Sequence, residues 1–228
     1  MHKICYPPIL YFGTPVILVS TVNEDNTPNL APISSVFWLG WRCIIGISAF
    51  SKTTENLLRT KEAVVNLPSV NEVAAIDAVA LTTGKNIVPE GKKQKGYRYE
   101  PDKFSIAGLT PLDSAFVQPL RVKECPVQME CKVMAHHSLS EDNDIQKGKL
   151  LQIELKVLQV YVEEAILQEE NNDKIDADLW HPLIMSFQQF YGLGKQVHPS
   201  MLSSIREELY TSADLLEAQN KVDLQHKS

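Results

Sequence analysis

The sequence predicts a mainly β protein, an antiparallel barrel with helices at its periphery. Residues 125–134 and 152–157 alternate apolar and polar side chains, as strands with one solvated face do. Short β-branched runs fill the first half of the chain, and single helices lie in some of the intervals. The strict alternation of strands and helices that a parallel sheet requires is missing from the pattern. Together these features favour an antiparallel barrel.

Composition and charge narrow the possible partners. The chain of 228 residues is 44% hydrophobic and 22% charged, as ordinary globular proteins are, and we expect one main domain. Its net charge of -6 offers no excess of Lys and Arg, so we expect no nucleic-acid partner. The longest apolar region, 36–50, contains Arg42 and is too short to span a bilayer, so we expect no membrane partner.

The first half should consist of strands and two helices. The predicted elements are, in order, strands at 15–22, 30–37 and 42–48, a helix at 53–59, a strand at 63–67 and a helix at 71–81. Turn formers at 23–29 separate the first two strands, and Pro68 ends the fourth. We expect the first three strands to follow one another as a meander.

The second half contains a long excursion and a C-terminal helix. Residues 82–102 are rich in Gly, Lys and Pro, which predicts a surface excursion within the domain. The alternation of the later strand slips at Val157 and Leu158, where we expect a β-bulge. A C-terminal amphipathic helix that begins after Pro199 is predicted by apolar residues three and four apart, namely Met201, Leu202, Ile205, Leu209, Ala213 and Leu216. We therefore divide the chain into a domain over 1–198 and a C-terminal helix with a polar tail over 199–228.

Several familiar sites are incomplete in this sequence. Residues 46–50 lack the second glycine of a GxSxG elbow, and 192–197 begin like a dinucleotide fingerprint but end in Val. His136 and His137 are adjacent and would point to opposite faces of a strand, so a solvated turn is favoured and we expect no metal site. Pro7 interrupts any apolar signal-peptide core. We expect a cytoplasmic location, in which the four cysteines are reduced core residues.

Two polar stretches could carry the function. Residues 51–56 follow a strand and open a helix, and free amides, hydroxyls and a lysine at a helix start suit a phosphate monoester. Plain N-capping by Ser and Thr explains the same residues. Residues 29–35 place amide and hydroxyl groups beside apolar ones, which an ordinary hairpin strand would also do.

Taken together and in order, these segments resemble the flavin reductase-like FMN-binding family. The matching segments of the first half are 16–20, 28–35, 51–56 and 64–68. Segments 102–104, 108–110 and 126–131 are similar to the middle region of that family. The resemblance covers most of residues 10–195 and leaves the C-terminal helix outside.

The resemblance implies a fold, a cofactor and a site. The fold is an FMN-binding split β-barrel, a Greek-key antiparallel barrel that is usually a homodimer with flavin near the subunit interface. The residues expected along the isoalloxazine and ribityl chain are Asn29, Ala31, Pro32, Ile33, Ser34 and Ser35. Those expected at the ribityl and phosphate end are Ser48, Ser51, Lys52, Thr53, Thr54 and Asn56.

The implied function is an FMN-dependent oxidoreductase of the flavin reductase type. Electrons from NADH or NADPH would reach flavin or a protein acceptor, and because the flavin performs the redox chemistry we name no catalytic acid or base. Gln188 and Gln189 stand where many relatives carry basic residues, which argues against strong contacts to the phosphates of a nicotinamide dinucleotide. Two alternatives stay open: a non-enzymatic flavin-binding electron carrier or reservoir that docks to a partner protein, and a split barrel that has lost FMN.

Overall fold

The structure, a computed structural model, describes residues 1–169 and 171–225. The strands are β1 (Phe12–Pro15), β2 (Ile17–Val22), β3 (Pro28–Ile33), β4 (Val36–Leu39), β5 (Arg42–Ser48), β6 (Glu62–Leu67), β7 (Thr82–Thr83), β8 (Arg98–Tyr99), β9 (Pro111–Leu112), β10 (Arg121–Val122), β11 (Val127–Ser138), β12 (Leu150–Val162), β13 (Leu167–Gln168), β14 (Asn171–Ile175), β15 (Ile184–Ser186) and β16 (Gln189–Tyr191). The α-helices are α1 (Lys52–Thr60), α2 (Val73–Ala80), α3 (Glu90–Lys93), α4 (Lys103–Ala107) and α5 (Ala213–Gln225). The strands predicted at 15–22, 42–48 and 63–67 and the helices predicted at 53–59 and 71–81 are confirmed, whereas the single strand predicted at 30–37 is divided at Ser34 and Ser35 into β3 and β4.

One antiparallel sheet of seven strands organises the fold, in the order β3, β2, β6, β11, β12, β5, β4. Its two edge strands, β3 and β4, are consecutive in sequence and are connected only by Ser34 and Ser35. A connection this short spans roughly 10 Å, so the sheet must curl until its edges approach each other. The successive pairs of the expected meander are present, since β2 pairs with β3 and β4 pairs with β5. The meander is nevertheless interrupted in its middle strand, because β3 and β4 lie at opposite edges of the sheet.

The main core fills the inside of the curled sheet. Ile33 of β3 and Val36 of β4 pack into the same cluster as Ile17 of β2 and Ile45 of β5. Leu57 of α1 is fully buried in that cluster. Because both edge strands contribute to a single interior, the sheet encloses its core as a barrel does.

A second core covers the other side of β2. Val16, directly before β2, and Leu18 within it point away from the main core and pack with Ile76 of α2 and Phe104 of α4. Both faces of β2 are thus buried, and this explains why its sequence is a continuous run of apolar and hydroxyl residues rather than an alternating one. The packing also places α2 and α4 beside β3.

The bulge predicted in the long hairpin of β11 and β12 is confirmed. Cys131 pairs with Val157 and the preceding Glu130 pairs with Gln159, so Leu158 has no residue opposite it. An extra residue on one strand bends the pair and increases its twist. The bulge therefore helps the two longest strands to follow the curvature of the sheet.

The predicted C-terminal helix is wrong in position. Residues 201–204 and 207–210 form two short 3-10 turns, and the helix α5 begins only at Ala213. The hydroxyl of Ser212 accepts a hydrogen bond from the amide of Leu215 at 3.2 Å and so caps α5. Serine side chains at this place compete with a continuous helix, which the apolar spacing alone did not reveal.

Ion pairs hold α5 against the sheet. Arg42 of β5 and Lys156 of β12 lie directly opposite each other, where like charges repel. Asp214 accepts a hydrogen bond from Arg42 Nε at 2.7 Å and lies 3.2 Å from Lys156 Nζ. Glu217 pairs with the same lysine, and Ala218 is buried beneath the helix. We name this set of contacts the ionic clamp.

The 82–102 excursion lies at the surface, as expected, and only Thr82 and Thr83 at its start are buried. It contains α3 and the parallel pair of β7 and β8. A Cβ atom on Gly84 would lie 2.8 Å from Asn29 Oδ1 and 3.1 Å from Lys52 Cγ. Because real Cβ atoms avoid such short contacts, glycine is what allows the excursion to pack directly on β3 and α1. The surface excursion thus also contributes residues to the linings of two cavities.

A buried polar network joins the elements around β3. The side-chain nitrogen Nδ2 of Asn29 donates to Thr21 Oγ1 at 3.1 Å and to Thr53 Oγ1 at 3.2 Å. Its Oδ1 accepts from Lys103 Nζ at 3.0 Å, and the same ammonium donates to the Leu30 carbonyl at 2.7 Å. One side chain that is 2% exposed therefore ties together β2, β3, α1 and α4.

The ammonium of Lys103 should make stability depend on pH. Burial, together with a smaller effect of repulsion from Lys92, lowers the pKa of Lys103 from 10.5 to about 8. Between these values the unfolded chain holds a proton that the folded chain has lost, so the free energy of unfolding rises with pH. The shift corresponds to about 3 kcal/mol at most.

Denaturant unfolding at pH values below 8 and near 10.5 should show this rise in the wild type relative to Lys103→Met. Both proteins lose other alkaline-sensitive contacts equally, so the difference between them isolates Lys103. Lys93→Met, at an exposed position, serves as the control and should follow the wild type. The same pH dependence in the wild type and in Lys103→Met would contradict the prediction.

Candidate functional site

Three cavities follow β3, and each shares lining residues with the next. The charged cavity, about 550 Å³, is lined by Glu24, Asp25, Lys52, Glu55, Lys85 and Glu100, among others. It shares Lys52 and Gly84 with the central cavity, of about 120 Å³. The central cavity shares Pro32, Ile33 and Ala80 with the apolar cavity, of about 170 Å³. The site therefore changes from charged to apolar along its length.

The first turn of α1 lies at the central cavity. Ser51, Lys52 and Thr53 all line this cavity, and the Ser51 hydroxyl accepts a hydrogen bond from the amide of Thr54 at 3.0 Å. The amides of Lys52 and Thr53 are the first two of the helix and have no acceptor within it. Together with the helix dipole, they make this end of the cavity attractive to an anion.

Lys52 already has acidic neighbours. Its ammonium forms an ion pair with Glu24 and lies 3.9 Å from Glu55 Oε2. The hydrogen bond from Lys52 is the main cause of the lowered pKa of Glu24. An anion that enters the central cavity must therefore share Lys52 with two carboxylates.

Two further lysines, Lys92 and Lys103, line the central cavity. Lys92 Nζ lies 3.3 Å from Thr83 Oγ1 and 5.1 Å from the centre of the Tyr97 ring. Burial lowers the pKa of Lys92, and repulsion from Lys85 lowers it further. Within residues 1–169 and 171–225, no carboxylate lies within ion-pair distance of either Lys92 or Lys103. Lys92 and Lys103 thus bring to the central cavity two ammonium groups that have no ion-pair partner in the part of the chain that the structure describes.

The structure brings together half of the residues predicted for the site. The predicted residues that line the central cavity are Ala31, Pro32, Ile33, Ser51, Lys52 and Thr53. Ser34 lines the apolar cavity and Asn29 the charged one. Asn29 is nearly buried, and its amide is engaged in the polar network described above.

The other predicted residues are occupied elsewhere. Thr54 donates to the Ser48 carbonyl at 2.7 Å, and Asn56 donates to Thr21 Oγ1 and to Asn23 Oδ1. The Ser48 hydroxyl accepts a hydrogen bond from the backbone amide of Phe50. The Ser35 carbonyl accepts a hydrogen bond from the backbone amide of Gly46. Contacts of these four predicted residues with a ligand remain a prediction.

Residues of the excursion and of α4 complete the site and were not among the residues predicted for it. They are Gly84, Lys92, Tyr97 and Lys103. The lysine content of the excursion was visible in the sequence, but local composition does not show which lysine turns inward. Lys103 follows directly after the excursion, so its position in a site could be found only once that segment was folded back on β3.

The apolar cavity lies beside the hairpin of β15 and β16. Met185 and Phe190 line it together with Val16 and Ile76. The hairpin turn includes Phe187 and Gln188, which have φ angles of 45° and 63°, as both central residues of a type I′ turn do. Gln188 and Gln189 are exposed, so the amides that replace basic residues face solvent.

The structure also bears on metal and membrane binding. Among the described residues, no group of three or more His, Cys, Asp or Glu side chains could hold a metal ion. His136 and His137 are exposed on β11. In the described part of the chain, no helix has the length and apolar content needed to cross a membrane.

Comparison with known proteins identifies relatives of this arrangement. The "Flavin reductase like domain" family model matches residues 9–194. The uncharacterized protein YdfE of Bacillus subtilis is 39% identical over 191 residues, which are 84% of this chain and 89% of that protein.

Solved structures share the fold. Flavoredoxin of Desulfovibrio vulgaris (Miyazaki F) superposes with a TM-score of 0.70 at 20% identity, over 88% of this chain and 98% of that one. An FMN-binding domain of a flavin reductases-like enzyme from Shewanella baltica has a TM-score of 0.58 at 16% identity, over 82% and 90%. The resemblance seen in the sequence is confirmed: the chain belongs to the flavin reductase-like family and has its split-barrel fold.

Proposed function

We propose that the protein is an FMN-dependent oxidoreductase that transfers electrons from NADH or NADPH to flavin or to a downstream acceptor. Its family supports a flavin-related oxidoreductase function. The observation that carries the choice of FMN is the change along β3 from the cationic start of α1 in the central cavity to the adjoining apolar cavity. FMN changes in the same direction, from a phosphate at one end to a flat, largely apolar ring at the other.

The residues of the site fit such a ligand. The amides of Lys52 and Thr53 would receive the phosphate, because they are donors at the positive end of a helix. Pro32 and Ile33, which line both the central and the apolar cavity, would contact the ring and exclude water from one of its sides. When bound, FMN supplies the hydride and electron chemistry, while the protein orients it and sets its electrostatic surroundings.

The absorption spectrum of freshly purified protein, recorded under anaerobic conditions before and after NADPH, tests the proposal. Flavin absorbance that is bleached by NADPH is the expected result. Bound flavin that is reduced only by a partner protein would instead support the electron carrier, which the exposed Gln188 and Gln189 favour because they offer a donor no positive charge. Protein that neither contains FMN nor binds added FMN would contradict both.

We further propose that residues 1–198 form the flavin-binding unit, that 199–228 are accessory, and that the protein works in the cytoplasm. Cys43, Cys125 and Cys131 support the location, because all three are free thiols buried in the two cores. Cys5 is exposed, so the expectation of a core position is wrong for that cysteine. Reduced core cysteines are typical of a reducing compartment. We expect neither nucleic acid nor membrane to be a partner.

Lys52→Ala should weaken FMN binding about 10- to 100-fold and leave riboflavin binding nearly unchanged. The variant removes one charge-assisted contact to the phosphate, worth about 1.5 to 3 kcal/mol. Fluorescence titration with both flavins measures the two dissociation constants. Lys147→Ala, a change at an exposed lysine in a remote turn, is the control. Equal losses for FMN and riboflavin would refute the phosphate contact.

We propose a homodimer, in which the exposed face of β4 contributes to the interface. Phe37 and Leu39 are 52% and 70% exposed on this edge strand, on the opposite side from Trp38, which packs on the core. Sedimentation should give about twice the 25.6 kDa chain mass. Leu39→Glu should shift the protein toward the monomer, because a buried charge opposes association. Leu209→Glu, at an exposed 3-10 turn, should not. A wild-type monomer that binds FMN tightly would contradict this proposal.

Discrimination between NADH and NADPH should be weak. Lys93 and Lys95 of the excursion are exposed and line none of the three cavities. The hairpin beside the apolar cavity presents Gln188 and Gln189 instead of cations. The extra phosphate of NADPH therefore meets little positive charge. Steady-state kinetics with saturating FMN should give kcat/KM values within about tenfold of each other, or about 1.4 kcal/mol. A preference of several hundredfold for NADPH that disappears on neutralising Lys93 and Lys95 would show the opposite.

A further inference from the structure

We propose that Lys92 of the 82–102 excursion is a specificity-determining residue that selects phosphorylated ligands, as a second cation for the phosphate beside Lys52. The proposal rests on the proposed function, since it concerns the same site. It adds to that site a group from a segment that the sequence predicted to be a surface excursion.

The first step is the charge of the ligand. A phosphate monoester carries a charge near -2 at neutral pH, which a single shared ammonium does not balance. Lys52 is shared with Glu24 and Glu55. The first amides of α1 contribute only partial charges. A second full positive charge is therefore needed beside the start of the helix.

The second step is the position of Lys92. It lines the same central cavity as Ser51, Lys52 and Thr53, which form the start of α1. The hydroxyl of Thr83 and the ring of Tyr97 orient its ammonium there. No carboxylate of the described residues is close enough to neutralise it, as noted above. Lys92 is thus a cation that is held in place and has no ion-pair partner among the described residues.

The third step is what separates Lys92 from its neighbours. Lys93 and Lys95 belong to the same stretch of the chain but are exposed and line none of the three cavities. Gly84 lets the excursion pack against Asn29 and Lys52, which fixes the segment that carries Lys92. Lys103 lines the same cavity, but its ammonium already donates to Asn29 Oδ1 and to the Leu30 carbonyl. Lys92 is therefore the lysine of the excursion that is placed to select the phosphate, and the adjacent Lys93 supplies a matched control.

The test compares FMN with riboflavin, which lacks the phosphate. Dissociation constants for both flavins are measured by fluorescence titration for the wild type, Lys92→Met, Lys92→Arg and Lys93→Met. Inorganic phosphate is then titrated as a competitor of FMN in each protein. We expect Lys92→Met to weaken FMN binding about 10- to 100-fold, the range for one charge-assisted hydrogen bond, and to leave riboflavin unchanged. Phosphate should compete less well against FMN in this variant than in the wild type.

The controls separate the possible outcomes. Lys93→Met should bind both flavins as the wild type does, and Lys92→Arg should restore most of the FMN affinity because it keeps the positive charge. Unchanged FMN binding by Lys92→Met, or equal weakening of FMN and riboflavin, would overturn the role of Lys92 while the proposed function stands. Failure of the wild type to bind either flavin would instead overturn the proposed function, and the role of Lys92 with it.

Discussion

The buried amide of Asn29 is the contact on which the site depends. Its hydrogen bonds to Thr21, Thr53 and Lys103 join two strands and two helices in a place that water does not reach. Buried polar groups are costly unless they are satisfied, so these elements can adopt few other arrangements relative to one another. The start of α1 and the polar end of β3 are thereby fixed before any ligand arrives. Such preorganisation lowers the entropy that binding would otherwise lose.

The shape of the sheet follows from a different constraint, the two-residue link between its edge strands. Ser34 and Ser35 force β3 and β4 to approach each other although they pair with different neighbours. The sheet consequently encloses one core, and the outer face of β2 and β3 is left for α2 and α4. The cavities lie where β3, α1 and the excursion meet. The curling of the sheet and the formation of the site therefore both involve β3.

The sequence could predict what is encoded locally. The strand over 42–48 and the bulge at Leu158 were visible because hydrophobic period and its interruption are properties of neighbouring residues. The order of the strands in the sheet was not visible in the sequence, since the pairing of β5 with β12 joins residues about a hundred positions apart. The inward turn of Lys92 depends on the close approach at Gly84, which no local pattern records. The start of α5 was misplaced because apolar spacing continued through residues whose hydroxyls favour a new helix cap.

Because the ionic clamp holds α5, this helix and the core of the sheet should respond in opposite ways to a salting-out solute. Sulfate strengthens the burial of apolar surface, so the core formed by the sheet becomes more stable in its presence. The same salt screens the partly exposed pairs that Asp214 makes with Arg42 and Lys156. Since Ala218 is the one residue of Ala213–Lys221 that is buried, little apolar contact offsets that loss. Conditions chosen to concentrate or crystallise the protein would thus rigidify the barrel while loosening α5 from it.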